Sequence, residues 1–148
     1  MKDPCIVALY KDRPDRIKEA YQTVIALALY YNALINIEAT RVSFLGWGRE
    51  NHFLNWFMKR PKMTYPDITK QKSTQYGSPA TKMVIEHHTD LTRDYVDDYC
   101  HTIWFTEVLD ELLGYSDEKK RKFDIVAALG HALLADEELQ GITPKSIQ

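Results

Sequence analysis

The chain has 148 residues, of which 45% are hydrophobic and 27% charged, and its formal net charge is -2. This composition is typical of one soluble globular domain, and it excludes a global basic field for nucleic acid, so any DNA contact must come from local patches or bound metal. The longest apolar stretch, residues 24–31, is far too short to cross a membrane. Cys5 and Cys100 form neither a zinc spacing nor a disulfide framework, which indicates a reducing compartment.

The first forty residues predict a strand, a helix and a second strand. Residues 5–10 are short, apolar and partly β-branched, as in a buried strand. A helix is predicted from about residue 12 to residue 31, with Pro14 in its first turn. Residues 33–37 predict another strand, which ends at Glu38. Such a βαβ unit has parallel strands, and ligands collect at their carboxyl ends, so we expect Glu38 at a binding edge.

The middle of the chain predicts one short helix, one strand and one loop. Thr40 is a suitable cap for a helix that Gly46 and Gly48 would break or end. Residues 53–58 are mostly apolar and aromatic and predict a strand, whereas residues 63–77 are polar and predict an exposed loop.

Three helices are predicted after this loop. The first begins at Ser78, with Pro79 in its first turn, and extends to about residue 99. The second spans residues 104–115, and the last begins near Asp117 and ends near residue 140. Neighbouring residues in a helix point in different directions, so His87 and His88 are predicted on a solvated flank rather than at a metal.

Two acids stand in apolar surroundings, Glu38 after a predicted strand and Asp124 early in the last predicted helix. A buried lone carboxylate costs several kcal/mol unless it is paired or holds a cation. Two such acids brought together would bind a hard divalent cation, Mg²⁺ or Mn²⁺, and a metal pair about 4 Å apart commonly hydrolyses phosphodiesters. From the pattern alone, Asp124 at a helix dipole and Glu38 paired with Lys or Arg are the more common arrangement of such acids.

Four stretches resemble, in the same order, the terminase large subunit of tailed bacteriophages: ALYKDRPD at 8–15, YNALINIE at 31–38, GSPAT at 77–81 and KFDIVAA at 122–128. The resemblance covers nearly the whole chain. It implies an α/β fold, a partial RNase H-like nuclease domain over residues 1–140 with a βαβ core and several helices, followed by a flexible tail over 141–148. It further implies a two-metal endonuclease that cuts concatemeric viral DNA with three acids, of which Glu38 matches the second and Asp124 the third.

The resemblance is incomplete at the start of the chain. The family's first acid lies on a strand upstream of residues 5–10, and Asp3 is a poor substitute because it precedes Pro4 and the predicted strand. The phosphate-binding pattern of the family's ATPase domain is absent as well. We therefore expect a fragment, a split-gene product or a remnant that is inactive alone.

The resemblance also implies partners and a location. Double-stranded DNA, the ATPase domain and the upstream nuclease strands are the expected partners, with portal and small terminase as further ones and no membrane. The expected location is the cytoplasm of the infected bacterial host. Basic residues at 59–62 and 70–72 could contact DNA phosphates, or could form a solvated face.

Two other interpretations stay open. The chain could be a non-catalytic assembly or DNA-binding module of the packaging machinery, which the missing first acid favours. It could also be a mostly helical adaptor without a site, and such a protein would have no reason to bring Glu38 close to Asp124. His131 lies seven residues after Asp124 on nearly the same helix face and could reach a site there, although a hydrogen-bonded helix histidine is the ordinary alternative.

Overall fold

The computed structural model describes residues 3–40, 42–64, 75–116 and 123–142. Helices account for 64% of these residues and paired extended positions for 5%. The α-helices of the described ranges are α1 (Ile17–Tyr31), α2 (Val42–Glu50), α3 (Lys82–Tyr99), α4 (Thr106–Gly114) and α5 (Asp124–Ile142). None of the helices in these ranges has the length and apolarity that a bilayer crossing requires.

The predicted α/β, RNase H-like fold with a βαβ core is wrong for this structure, because the described residues form no sheet. Residues 5–10, predicted as a strand, have no regular secondary structure and pair with no other described segment. Ile6 and Leu9 instead pack on the helical core around Val108 and Ile125. A short apolar run has the sequence pattern of a buried strand, but the same pattern also suits a segment that packs on helices.

Among the described residues, three isolated bridges lie in or next to the segments predicted as strands at 33–37 and 53–58. Ile35 pairs in parallel with Phe57, and its N–H donates to the Trp56 carbonyl at 2.7 Å. Glu38 pairs in parallel with Ser78, and Lys59 pairs with Tyr76 in antiparallel orientation. Each contact is one residue long, so the segments are held side by side without the continuous ladder of a sheet.

The helices were predicted more accurately than the strands. The helix α1 ends at Tyr31 as predicted but begins at Ile17, and Asn32 closes it in the left-handed conformation. Gly46 and Gly48 lie inside α2 and do not end it. The start of α3 is four residues later than predicted, where the Thr81 side chain accepts a hydrogen bond from the Val84 N–H.

The last helix also begins later than predicted, at Asp124. The predicted start near Asp117 and most of the predicted tail, residues 143–148, lie outside the described residues. So do residues 65–74 of the predicted loop.

Two apolar clusters hold the helices together. One joins α3, α4 and α5 through Tyr95, Ile103, Val108, Ile125 and Leu129. The other joins α1 to the bridged segments through Ile25, Ile37 and Phe57, with aromatic residues of α2 packed against it. The candidate site lies where α3 and α5 face each other.

Candidate functional site

A cavity of about 320 Å³ lies between α3 and α5 and includes Glu38 in its wall. Most of its wall is apolar and comes from three helices and their flanks: Ile85, Val96, Leu112, Tyr115, Phe123, Val126 and Ala127. The polar part of the wall includes His88 and His131. The cavity, which we call the α3–α5 cavity, therefore combines an apolar body with polar groups that include the Glu38 carboxylate and two imidazoles.

Backbone and side-chain hydrogen bonds fix the position of Glu38. The Ser78 N–H donates to the Ile37 carbonyl, and the Ala39 N–H donates to the Ser78 carbonyl, both at 2.8 Å. The Asn36 side chain donates to the Ser78 hydroxyl at 2.9 Å and to the His131 carbonyl at 2.8 Å, which ties this segment to α5. Ser78 is completely buried, so Glu38 extends from a well-anchored segment.

The Glu38 carboxylate has a neutral partner and no cationic one within the described chain. The Thr40 hydroxyl donates a hydrogen bond to it. No described Lys or Arg side chain forms an ion pair with it. The alternative that Glu38 is the acidic half of a structural ion pair therefore has no support in these residues, and the half-buried carboxylate can accept a cation.

His88 and His131 are both buried at this cavity, each with 8% of its surface exposed. Their ring centroids are 5.2 Å apart. Burial, and to a smaller extent the neighbouring His131, lower the pKa of His88 to about 4. Burial also lowers the pKa of His131, against the opposing effect of Glu38. Both imidazoles are therefore neutral at pH 7.

The prediction of a solvated flank is wrong for His88 and approximately right for His87. His87 is half-buried and forms a 2.7 Å hydrogen bond with the Glu137 carboxylate. His88, one residue later, faces α5, and its ring packs on the backbone of Gly130. A glycine in one helix can accommodate a large side chain from a helix that packs against it, as Gly130 accommodates His88. The sequence contains both residues but does not say that their helices are neighbours.

Asp124 lies outside the α3–α5 cavity wall, exposed as the first residue of α5. It is seven residues before His131, a separation of about 10 Å along the helix axis. Its charge contributes to a raised pKa of Lys11, for which the hydrogen bond to Glu111 is the main cause. The structure thus places the two predicted metal ligands in different surroundings, Glu38 beside two histidines and Asp124 beside a lysine.

Glu111 caps the helix that Asp124 begins. Its carboxylate accepts hydrogen bonds from the N–H groups of Ile125 and Val126 at 2.8 and 3.2 Å, and from the Lys11 ammonium at 2.6 Å. A carboxylate at this position satisfies free donors and interacts favourably with the helix dipole. The sequence suggested, as an alternative to metal binding, that Asp124 interacts with the helix dipole. Glu111 of α4 makes part of that interaction.

Few side chains at this site are available as ligands for a divalent metal. In the described part of the chain, no group of three or more His, Cys, Asp or Glu side chains is arranged to hold a metal ion. The Glu38 carboxylate, half-buried and without a cationic partner, suits a hard cation such as Mg²⁺ or Mn²⁺. Asp124 would have to supply the second carboxylate from the end of α5.

Of the basic residues predicted as DNA contacts, only those at 59–62 lie in the described ranges. Lys59 is exposed, and the buried Nε of Arg60 has no hydrogen-bond partner among the described residues. The pair at 70 and 72 lies outside these ranges.

Comparisons with protein-family models, with curated proteins and with solved structures found no match to this chain.

Proposed function

We propose that this chain is part of the nuclease of a viral DNA-packaging terminase large subunit, and that Glu38 and Asp124 bind its divalent metals. The observation that carries the proposal is the Glu38 carboxylate, anchored beside a buried serine, facing a cavity and lacking a cationic partner among the described residues. The four resembling stretches support it, since two of them contain these acids. The substrate class is concatemeric double-stranded viral DNA.

The chain's own contribution to this reaction is positioning. A bound divalent metal supplies a Lewis acid and lowers the pKa of a bound water. The Asn36 side chain, bonded to Ser78 and to the His131 carbonyl, keeps the Glu38 segment fixed relative to α5. The apolar wall formed by residues such as Val126 limits water around the carboxylate and so strengthens its attraction for a cation.

We infer that the isolated chain cleaves DNA poorly. Two-metal hydrolysis needs a full ligand set, and a misplacement of about 1 Å can cost roughly a hundredfold in rate. Glu38 and Asp124 match two of the family's three acids, and no residue here matches the first. Another polypeptide segment, from the upstream part of the nuclease, would supply the missing acid.

The direct test is cleavage of plasmid DNA with Mn²⁺ by the chain alone and by the chain mixed with a separately produced upstream segment of a terminase nuclease. The proposal predicts little cutting by the chain alone, cutting by the mixture, and loss of cutting in Glu38→Gln. Glu50→Gln, at an exposed position on α2, is the matched control and should cut normally. Strong cutting by the pure chain, or cutting that survives Glu38→Gln, would contradict the proposal.

A second candidate is a non-catalytic assembly module of the same packaging machinery. Three large apolar side chains on the described surface, those of Tyr30, Trp104 and Leu113, are each about 80% exposed or more and so are available for contact with a partner. Such residues mark contact surfaces when they are contiguous. Binding of purified portal or small terminase, lost in Trp104→Ala without loss of helical content, would favour this function over catalysis.

A further inference from the structure

The α3–α5 cavity has more apolar volume than a metal ion requires. Its volume of about 320 Å³ lies at the lower end of the range for small-molecule sites, which is roughly 300–1,000 Å³. Tyr115 and Phe123, whose ring centroids are 5.3 Å apart, contribute aromatic surface to the wall. Such surroundings stabilise a flat apolar group by burial and by ring-to-ring contact.

Two polar groups of the wall could form further hydrogen bonds or ion pairs that the described residues do not provide. The Glu38 carboxylate accepts a hydrogen bond from Thr40 and forms no ion pair with a described Lys or Arg. The Nδ1 atom of His131 is buried and has no hydrogen-bond partner among the described residues. An unpaired buried polar atom destabilises the fold, and a ligand with a suitable hydrogen-bonding group would give it a partner.

The charged side chains around the cavity determine which ligand charge is favoured. Among the described residues of the wall, the charged side chains are Glu38, Asp97 and Arg93, and the guanidinium of Arg93 donates a hydrogen bond to Asp90 at 3.2 Å. Two carboxylates against one guanidinium make the described part of the wall negative, and the two imidazoles are uncharged. A cation is therefore favoured over a neutral molecule or an anion.

We propose that the α3–α5 cavity binds a small aromatic cation of the amidine class, with its nitrogen head at Glu38 and its ring against the apolar wall. The ring lies between α3 and α5, near Val126 and Phe123. The head donates hydrogen bonds to the free positions of the Glu38 carboxylate. The inference shares Glu38 with the proposed function, but it requires neither a metal nor nuclease activity.

The test is a titration of the full chain with benzamidine, followed by ¹H–¹⁵N NMR, beside benzamide and methylguanidine. Benzamide keeps the ring without the charge, and methylguanidine keeps the charge without the ring. Benzamidine should bind at least tenfold more tightly than either. Equal binding of benzamidine and benzamide, or no binding of benzamidine, would overturn the inference.

Variants locate the site. Glu38→Gln should weaken benzamidine at least tenfold, whereas Glu50→Gln should leave its affinity unchanged. Ala127→Leu should exclude the ring by filling the cavity, and its helical content is checked by circular dichroism. If Ala127→Leu fails to fold, the ligand series and Glu38→Gln decide the question alone. Unchanged affinity in Glu38→Gln would place benzamidine elsewhere and overturn the inference.

A Mn²⁺ titration separates this inference from the proposed function. Benzamidine binding without Mn²⁺ binding would support the cavity ligand and contradict the metal site. Mn²⁺ binding without benzamidine binding would do the reverse. If both bind, Mn²⁺ should reduce the apparent affinity for benzamidine, because both use the Glu38 carboxylate.

Discussion

The imidazole of His88 on α3 packs directly on the backbone of Gly130 on α5, where a Cβ atom would collide with Nδ1 and lie 2.8 Å from Cγ. This contact sets how closely the two helices approach and thereby the width of the cavity between them. It makes glycine the only residue that fits at 130 without movement of a buried ring.

Gly130→Ala should therefore destabilise the protein by about 1–3 kcal/mol, as overpacking does, although alanine in a helix normally gains about 1 kcal/mol over glycine. Urea unfolding measures the change in the free energy of unfolding. The matched control is Gly46→Ala on α2, where nothing lies within 4 Å of the added atom, and it should be neutral or stabilising. A stabilised Gly130→Ala would show that His88 does not occupy this position.

Glu111→Ala should lower the free energy of unfolding by about 1–2 kcal/mol, the usual cost of a lost helix cap. The variant leaves the N–H groups of Ile125 and Val126 without their carboxylate and frees Lys11. Glu107→Ala, exposed in the first turn of α4, is the control for the charge change. Equal effects of the two substitutions would contradict the capping role of Glu111.

Stability should fall as the pH falls from about 6.5 to 4. The pKa of His88 is about 4 in the folded chain and 6.5 for the ordinary group, so the unfolded chain binds more protons within this window. The loss for this one ring is at most about 3 kcal/mol and is complete below its folded pKa. His131 acts in the same direction because its pKa is also lowered.

Urea unfolding at pH 7.5 and pH 4.5 checks this dependence in the wild type and in His88→Asn. The variant should lose part of the pH effect and keep the part that His131 causes. His52→Asn is the control, because His52 is exposed and its positive φ suits asparagine. The same pH dependence in His88→Asn and the wild type would contradict a buried neutral His88.

The sequence predicted helices better than strands for a physical reason. The end of α1 at Tyr31 and the course of α3 follow from local spacing and capping, which act within a few residues. A strand depends on partners that can lie far away in the chain. Residues 5–10 have the apolar pattern of a strand, yet no described segment pairs with them, and they pack on helices instead.

The candidate site was predictable only in part. Glu38 stood out because it follows an apolar run, and the structure places it in a cavity wall. The burial of His88 depends on Gly130, 42 positions later, and that pairing has no local signal. Asp124 stood out because apolar residues follow it, but a position in the first turn of a helix can remain exposed among apolar neighbours in sequence.

The central claim is that Glu38 and Asp124 both bind divalent metal, although Asp124 lies outside the cavity wall that contains Glu38. Calorimetric titration with MnCl₂ tests it most directly in the wild type, Glu38→Gln, Asp124→Asn and the Glu50→Gln control. We predict weak binding by the wild type and the control, because two carboxylates leave most of the coordination to water, and a loss in each of the other two variants. Identical titrations of the wild type and Asp124→Asn would remove Asp124 from the site, and identical titrations of the wild type and Glu38→Gln would contradict the claim altogether.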